Sequence, residues 1–295
     1  MRRFTAAGYI NILTATHAQL DLRDQSAVRA FFGCEQPEVV VLAAARVGGI
    51  LANSTRPAEF LYDNLMIGAN VIQAARDVGV LKLLNLGSSC IYPKLAPQPL
   101  KEEYLLTGPL EETNRAYAVA KIAAIELCDH YRTQYGSDFV SAMPTNLYGP
   151  GDNFDLNSSH VMPALIRKIV DAREKELAGV EVWGSGTPLR EFLHVDDLAA
   201  ACLFLLENVS RSGPINVGTG EDLSIRALAE LIAELVGYAG ELVFDVSKPD
   251  GTPRKLMDVS LLRSLGWSAT ISVRQGVRQT LDWYVQQRQL GLVRT

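Results

Sequence analysis

Short apolar and β-branched runs alternate along the chain with longer stretches whose apolar positions recur every three to four residues. That alternation predicts parallel strands joined by helices. Tyr9 to Leu13 reads as a strand and Asp24 to Phe32 as a helix. Val39-Val40-Val41-Leu42 is a continuous apolar run, which predicts a strand buried on both faces. Pro57 to Val78 predicts a long helix and Leu81 to Leu86 a strand. Thr113 is placed to cap a helix running to about Tyr135, and Phe139 to Met143 reads as the next strand. Beyond Pro150 the pattern loosens into Gly- and Pro-rich loops between short elements: His160 to Glu176, Val180 to Trp183, and Ser224 to Gly237. The expected fold class is α/β, a doubly wound, Rossmann-like parallel sheet over residues 1–150. A smaller α/β lobe follows over residues 151–295, with some elements returning to the first.

Composition narrows the class. With 295 residues, 48% hydrophobic and 21% charged, the chain has the balance of a globular protein with a sizeable core. A net charge of −5 provides no general field for nucleic acid or an anionic membrane, so an anionic small molecule would need a local basic pocket. No run has transmembrane length, and Gly8 and Asn11 interrupt any signal-like apolar segment after Arg2 and Arg3. The four cysteines lack CxxC spacing, which predicts free thiols in a reducing cytoplasm and no metal site. Cys34, Cys128 and Cys202 fall in helical patterns and are expected to be buried.

A doubly wound sheet that binds a dinucleotide normally opens with a strand, a glycine-rich turn and a helix receiving the pyrophosphate. No GxGxxG or GxxGxxG occurs here. Residues 1–8 read as the end of that first helix, so roughly 20 residues of strand and loop are expected to lie upstream, from the usual size of a βα unit. Without that central strand, two apolar strand edges are expected to be uncovered.

Tyr117 and Lys121 lie four apart, on one face of a helix, and Ser88 follows a strand at its carboxyl end. A hydroxyl, a phenol and an ammonium in that order suit hydride transfer to a carbonyl. The phenol protonates the developing alkoxide, the cation lowers its pKa, and the serine bonds the same oxygen.

Several long motifs raise the specificity. Leu86-Gly87-Ser88-Ser89-Cys90-Ile91-Tyr92-Pro93-Lys94 resembles a motif of the GDP-L-fucose synthases, within the extended short-chain dehydrogenase/reductases. So do Ala44 to Ile50, Met143 to Pro150, Asn157 to Val161, Val182 to Asp197 and Lys248 to Lys255. The likeness runs from near residue 1 to about 287 and shortens a loop near 208–213. It implies conversion of GDP-4-keto-6-deoxy-D-mannose to GDP-L-fucose by 3,5-epimerisation and NADPH-dependent 4-reduction.

By that resemblance the catalytic set is Ser88, Cys90, Tyr117, Lys121 and His160. The thiol and imidazole exchange protons beside the ketone. The NADP contacts it implies are Asp21 and Leu22, Leu86 to Ser89 (with Gly87 and Ser88 between), Lys121, Pro144, Thr145, Asn146, Leu147 and His160. Where relatives tend to carry arginine near the 2′-phosphate, this chain has Ala15, Thr16 and His17. Lys168, Trp183, Arg190 and Asp250 match contacts to the GDP-sugar, and Arg254 and Lys255 add positive charge nearby. Taken singly, Trp183 also reads as a core aromatic and Arg190 as a partner of Glu191 or Asp196. His194 resembles a structural histidine, and His17 and His130 read as surface residues. A homodimer through the helices Pro57 to Val78 and Thr113 to Tyr135 is the family expectation. A related nucleotide-sugar epimerase or dehydratase, and a truncated non-catalytic binding protein, are the competing readings.

Overall fold

A computed structural model describes residues 1–156, 158–248 and 250–293; the motif positions Asn157 and Pro249 lie outside them. The chain runs α1 (Arg2–Ala6), α2 (Gln25–Glu35), β1 (Val39–Leu42), α3 (Ile50–Thr55), α4 (Pro57–Asp77), β2 (Lys82–Leu86), α5 (Arg115–Tyr135), β3 (Phe139–Pro144) and β4 (Asn146–Tyr148). It continues through α6 (Val161–Glu174), β5 (Gly179–Trp183), β6 (Leu189–His194), α7 (Val195–Asn208), β7 (Pro214–Val217), β8 (Asp222–Ser224) and α8 (Ile225–Val236). The remaining elements are β9 (Glu241–Asp245), β10 (Arg254–Lys255), α9 (Ser260–Ser264) and α10 (Val273–Gln289).

A parallel sheet in the order β1-β2-β3-β7 forms the frame, and its last strand comes from the second half of the chain. Period-two alternation sends successive residues to opposite faces. Leu83 and Phe139 pack with Val71, Ala75 and Val28 of the α2–α4 side, whereas Leu84 and Val140 pack with Ala201 and Leu205 of α7. Helices therefore cover both faces. A second sheet, β10-β6-β4 with β8 antiparallel to β6, and a parallel β5-β9 pair complete the molecule around α6, α8 and α10. Glu191 links the parts. Buried in β6, its carboxylate accepts backbone N–H bonds from Thr219 (2.6 Å) and Gly220 (2.8 Å) after β7, and from Met257 (2.9 Å) after β10.

Four expectations are corrected. Tyr9 to Leu13 is coil, with Ile10 95% exposed, because a strand needs a hydrogen-bonded neighbour. Among the described residues none pairs with this segment or with the outer edge of β1. Nor is β1 buried on both faces: Val40 and Leu42 pack against α2 and α4, while Val39 and Val41 point to the other face and are exposed. Thr113 does not cap α5; it lies in a tight turn over Glu112–Asn114, and the helix starts at Arg115 with no side-chain cap bond. Cys34 is exposed, because α2 buries the i, i+4 pair Val28 and Phe32 on another face. Cys90, Cys128 and Cys202 are buried and free. No helix among the described residues is long and apolar enough to cross a membrane.

Candidate active site

The site assembles where β2 and β3 end. Gly87 follows β2 so closely packed on β3 that a Cβ there would lie 2.3 Å from the Met143 sulfur. This lets the chain turn and present Ser88, whose Oγ accepts a bond from the Cys90 N–H at 3.4 Å and heads the short turn Ser89–Ile91. That turn buries the Cys90 thiol.

From the first turns of α5, Tyr117 and Lys121 reach the same spot. The buried Lys121 ammonium donates to the Leu86 carbonyl at 2.8 Å and sits 5.8 Å from the centre of the Tyr117 ring. The Ser88 hydroxyl is near enough to the Tyr117 phenol to favour its ionised form. Burial, and then the nearby Cys90, push the phenol's pKa up, and Ser88 opposes them. Burial also draws the Lys121 pKa down to about 8, with Cys90 pulling the other way. The Cys90 thiol is pushed up by burial; Lys255 is the strongest influence opposing that, followed by Ser88 and Lys121. Ser88, Cys90, Tyr117 and Lys121 thus form one electrostatically coupled group.

His160 stands apart from these contacts. It is the exposed residue preceding α6, and Asp152 is a charged group that senses it. Among the described residues no hydrogen bond or ion pair joins its ring to the Ser88 group.

Of the segments expected beside a cofactor, Leu86–Ser89 and Pro144–Leu147 follow β2 and β3 at the same sheet edge. The Thr145 N–H bonds the Val217 carbonyl at 3.0 Å, and the Asn146 amide donates to the Glu191 carbonyl at 2.8 Å, so the Pro144 to Leu147 segment is tied to β7 and β6. Asp21 does not offer a free carboxylate: Arg23 grips both its oxygens, through Nε at 2.9 Å and a terminal guanidinium nitrogen at 2.7 Å, and holds its pKa below the ordinary carboxylate range. Arg23 also reaches Asp63 of α4, and Asn70 donates to the Leu22 carbonyl at 2.9 Å, fixing this turn against α4. A buried ammonium and hydroxyl at the carboxyl ends of parallel strands suit the nicotinamide half of a dinucleotide. Among the described residues no glycine-rich turn faces them to receive a pyrophosphate.

A second cluster lies around α6, β5 and β6. Trp183 is 61% exposed and so is not a core aromatic; its indole N–H donates to Glu181 at 2.8 Å. Lys168 donates to Glu181 O at 3.1 Å and stands 5.3 Å from the indole centre, and Lys248 stands 5.4 Å from it. Arg190 pairs with neither Glu191 nor Asp196: it donates to the Leu189 carbonyl at 2.8 Å and approaches the Asp250 carbonyl at 3.5 Å. Asp196 is instead paired with Arg2. The Asp250 side chain accepts from the Ser185 N–H at 2.7 Å and hydroxyl at 2.8 Å, so it braces the turn after Trp183. Gly184, at φ +86°, keeps that turn open, since a Cβ there would meet Asp250 at 2.4 Å. His194 is buried and accepts from the Asp196 N–H through Nδ1 at 3.2 Å, a structural cap. His17 and His130 are surface residues.

Lys248 stands out only in three dimensions, and Lys255, expected only to add positive charge, gains a specific place. Lys248 faces Trp183, and Lys255 pairs in register beside Arg190 while lining one cavity with Cys90. Both fall in the Lys248 to Lys255 motif, whose density of charge was the available signal. Lys255 thus adjoins Arg190 in register and shares a cavity with Cys90.

Comparison with known proteins places these features in a family. A profile described as the NAD dependent epimerase/dehydratase family matches residues 2–218. The chain is 56% identical over 287 residues to the probable GDP-L-fucose synthase 1 of Oryza sativa subsp. japonica, covering 97% of this chain and 88% of that protein. It is 53% identical over 294 residues to the GDP-L-fucose synthase of Escherichia coli, covering 97% and 92%. Among solved structures, a GDP-L-fucose synthetase from Naegleria fowleri bound to NADP superimposes with a TM-score of 0.92 at 30% identity, over 100% of this chain and 90% of that one.

Proposed function

From the premise that this chain belongs to the GDP-L-fucose synthase family of NAD-dependent epimerases/dehydratases, we propose that one pocket carries both halves of the family reaction. The chain is an NADP-dependent epimerase/reductase that converts GDP-4-keto-6-deoxy-D-mannose to GDP-L-fucose. The observation that carries the assignment of roles is the coupling of the Cys90 thiol to Tyr117 and Lys121 at the end of β2.

The sugar's 4-keto group acidifies the hydrogens at C3 and C5. Cys90 and His160 remove and return protons there, on opposite faces of the ring; His160 reaches the sugar from the start of α6. Bound NADPH supplies the hydride received at C4. Tyr117 gives its proton to the C4 oxygen as charge develops, Ser88 bonds the same oxygen, and the Lys121 ammonium stabilises the phenolate left behind. Asp21, Leu22 and the Leu86–Ser89 and Pro144–Leu147 segments hold the cofactor, with Lys121 and His160 beside its reactive end. Lys168, Trp183, Arg190 and Lys248 hold the GDP portion through cation–phosphate and stacking contacts, and Asp250 keeps their turn in place.

The buried free thiols favour a reducing, cytoplasmic setting. A homodimer through α4 and α5 accounts for the exposed Tyr62, Leu65 and Val119 on those helices.

Incubation with the keto sugar nucleotide and NADPH tests the assignment. One NADPH consumed per GDP-L-fucose formed is expected. A 4-epimer or dehydrated sugar formed without net NADPH consumption would move the chain to another branch of the family.

A further inference from the structure

The cavity beside Cys90 contains three cations, and they differ in their partners. Lys94 is paired with Glu111 at 2.8 Å, and Arg254 with Asp222 at 2.6 Å. No carboxylate among the described residues lies within ion-pair distance of the third, Lys255. Register places Lys255 beside Arg190, and the carboxylate of neighbouring Glu191 is turned away into the backbone N–H groups of Thr219, Gly220 and Met257. β10 is itself fixed over the cavity, because the Leu256 N–H bonds Gln98 at 2.9 Å and Leu100 bridges to Met257. Burial draws the Lys255 pKa down and Arg190 adds to that, while Cys90 and Glu191 pull it back up. Lining one cavity with the buried sulfur, on a braced strand, its cationic form favours negative charge on that sulfur.

We propose that Lys255 is a positioning residue for the epimerisation: its ammonium offsets the burial of Cys90 and raises the share of thiolate that begins proton exchange at the sugar carbon. This rests on the functional reading above and goes beyond it in naming what activates the thiol. In the step, the C–H bond beside the ketone breaks and an S–H bond forms. The electron pair passes to the ketone oxygen, where Tyr117 and Ser88 receive the charge.

Other groups face the sulfur as well. Lys121 and Tyr117 approach from α5 and Ser88 from its own turn, while Glu111, Lys94 and Arg254 line the cavity. Among them Lys255 exerts the largest pull against the burial that keeps the thiol protonated, and Lys121 a smaller one.

The rate of Cys90 alkylation by iodoacetamide, followed by mass spectrometry across pH, reads the thiol directly and needs no substrate. The method separates Cys90 from the exposed Cys34. In Lys255→Met the midpoint is expected to rise by about one pH unit, from the lower end of the usual effect of a neighbouring opposite charge. Lys255→Gln should behave alike should the methionine disturb the fold, while Lys255→Arg should keep the midpoint. At neutral pH, solvent deuterium exchange at C3 and C5 should then fall about tenfold in the Met and Gln variants. That loss should appear in kcat more than in KM, and its pH profile should be displaced upward. An unchanged midpoint in the Met and Gln variants overturns the proposal, as does an equal rise in the Arg variant, which would trace the effect to shape. Absence of deuterium exchange in the unmodified protein would refute the reaction assignment instead, leaving the thiol measurement intact.

Discussion

At the scale of single residues, the proposed role of the Lys121 ammonium in the reduction depends on its charge. Burial lowers its pKa from 10.5 to about 8, so the cation is complete below that pH and is lost as pH rises through it. Single-turnover reduction is expected to slow above about pH 8, with Lys121→Arg, which stays charged, moving the decline upward. A rate that is flat across this range in the unmodified protein would contradict the role. Stability should move oppositely. The unfolded chain keeps this proton until about pH 10.4, so between the two values it binds more protons than the native state and this group's contribution rises with pH.

Ser88, Tyr117 and Lys121 were legible in the sequence, because helical spacing and the end of a strand place them with local information alone. Lys255 and Lys248 gain their meaning from neighbours that the topology brings in from far along the chain. Asp250 illustrates the converse: its motif position marks the substrate side, yet its carboxylate is engaged by Ser185.

Among elements, β6 carries the connection between the two parts of the site. Glu191 satisfies three backbone N–H groups with both its oxygens. In Glu191→Gln the side-chain amide must turn a donor toward at least one of them, leaving two buried donors face to face. A loss of about 1–3 kcal/mol in urea unfolding is expected, the cost of an unsatisfied buried group. KM for the sugar nucleotide should rise as Arg190 shifts. Unchanged stability would show that the clamp is dispensable.

Strand and helix periodicity located β2, β3, α2, α4 and α5 to within a few residues. It failed for Tyr9 to Leu13, because alternation records only which residues could line a strand. Whether one forms depends on a partner edge, which is a property of the sheet. The exposed face of β1 has a different cause: an apolar run is buried on both sides only where elements pack against both faces.

For the whole molecule, the mutual packing of α4 and α5 leaves Tyr62 and Leu65 on one and Val119 on the other facing outward. Sedimentation of the protein at micromolar concentration is expected to give a dimer, and Leu65→Arg with Val119→Arg a folded monomer. A monomeric unmodified protein would remove this assembly. The proposed function needs two separable reactions at one pocket, proton exchange through Cys90 and His160 and reduction through Ser88, Tyr117 and Lys121. The most direct test follows the keto sugar nucleotide by NMR in deuterium oxide with NADPH present. Tyr117→Phe should incorporate deuterium at C3 and C5 while reduction falls by about 10²–10⁴, the usual worth of a general acid. Cys90→Ser should lose the incorporation. Loss of exchange and reduction together in Tyr117→Phe, or undiminished exchange in Cys90→Ser, would contradict the shared-pocket account.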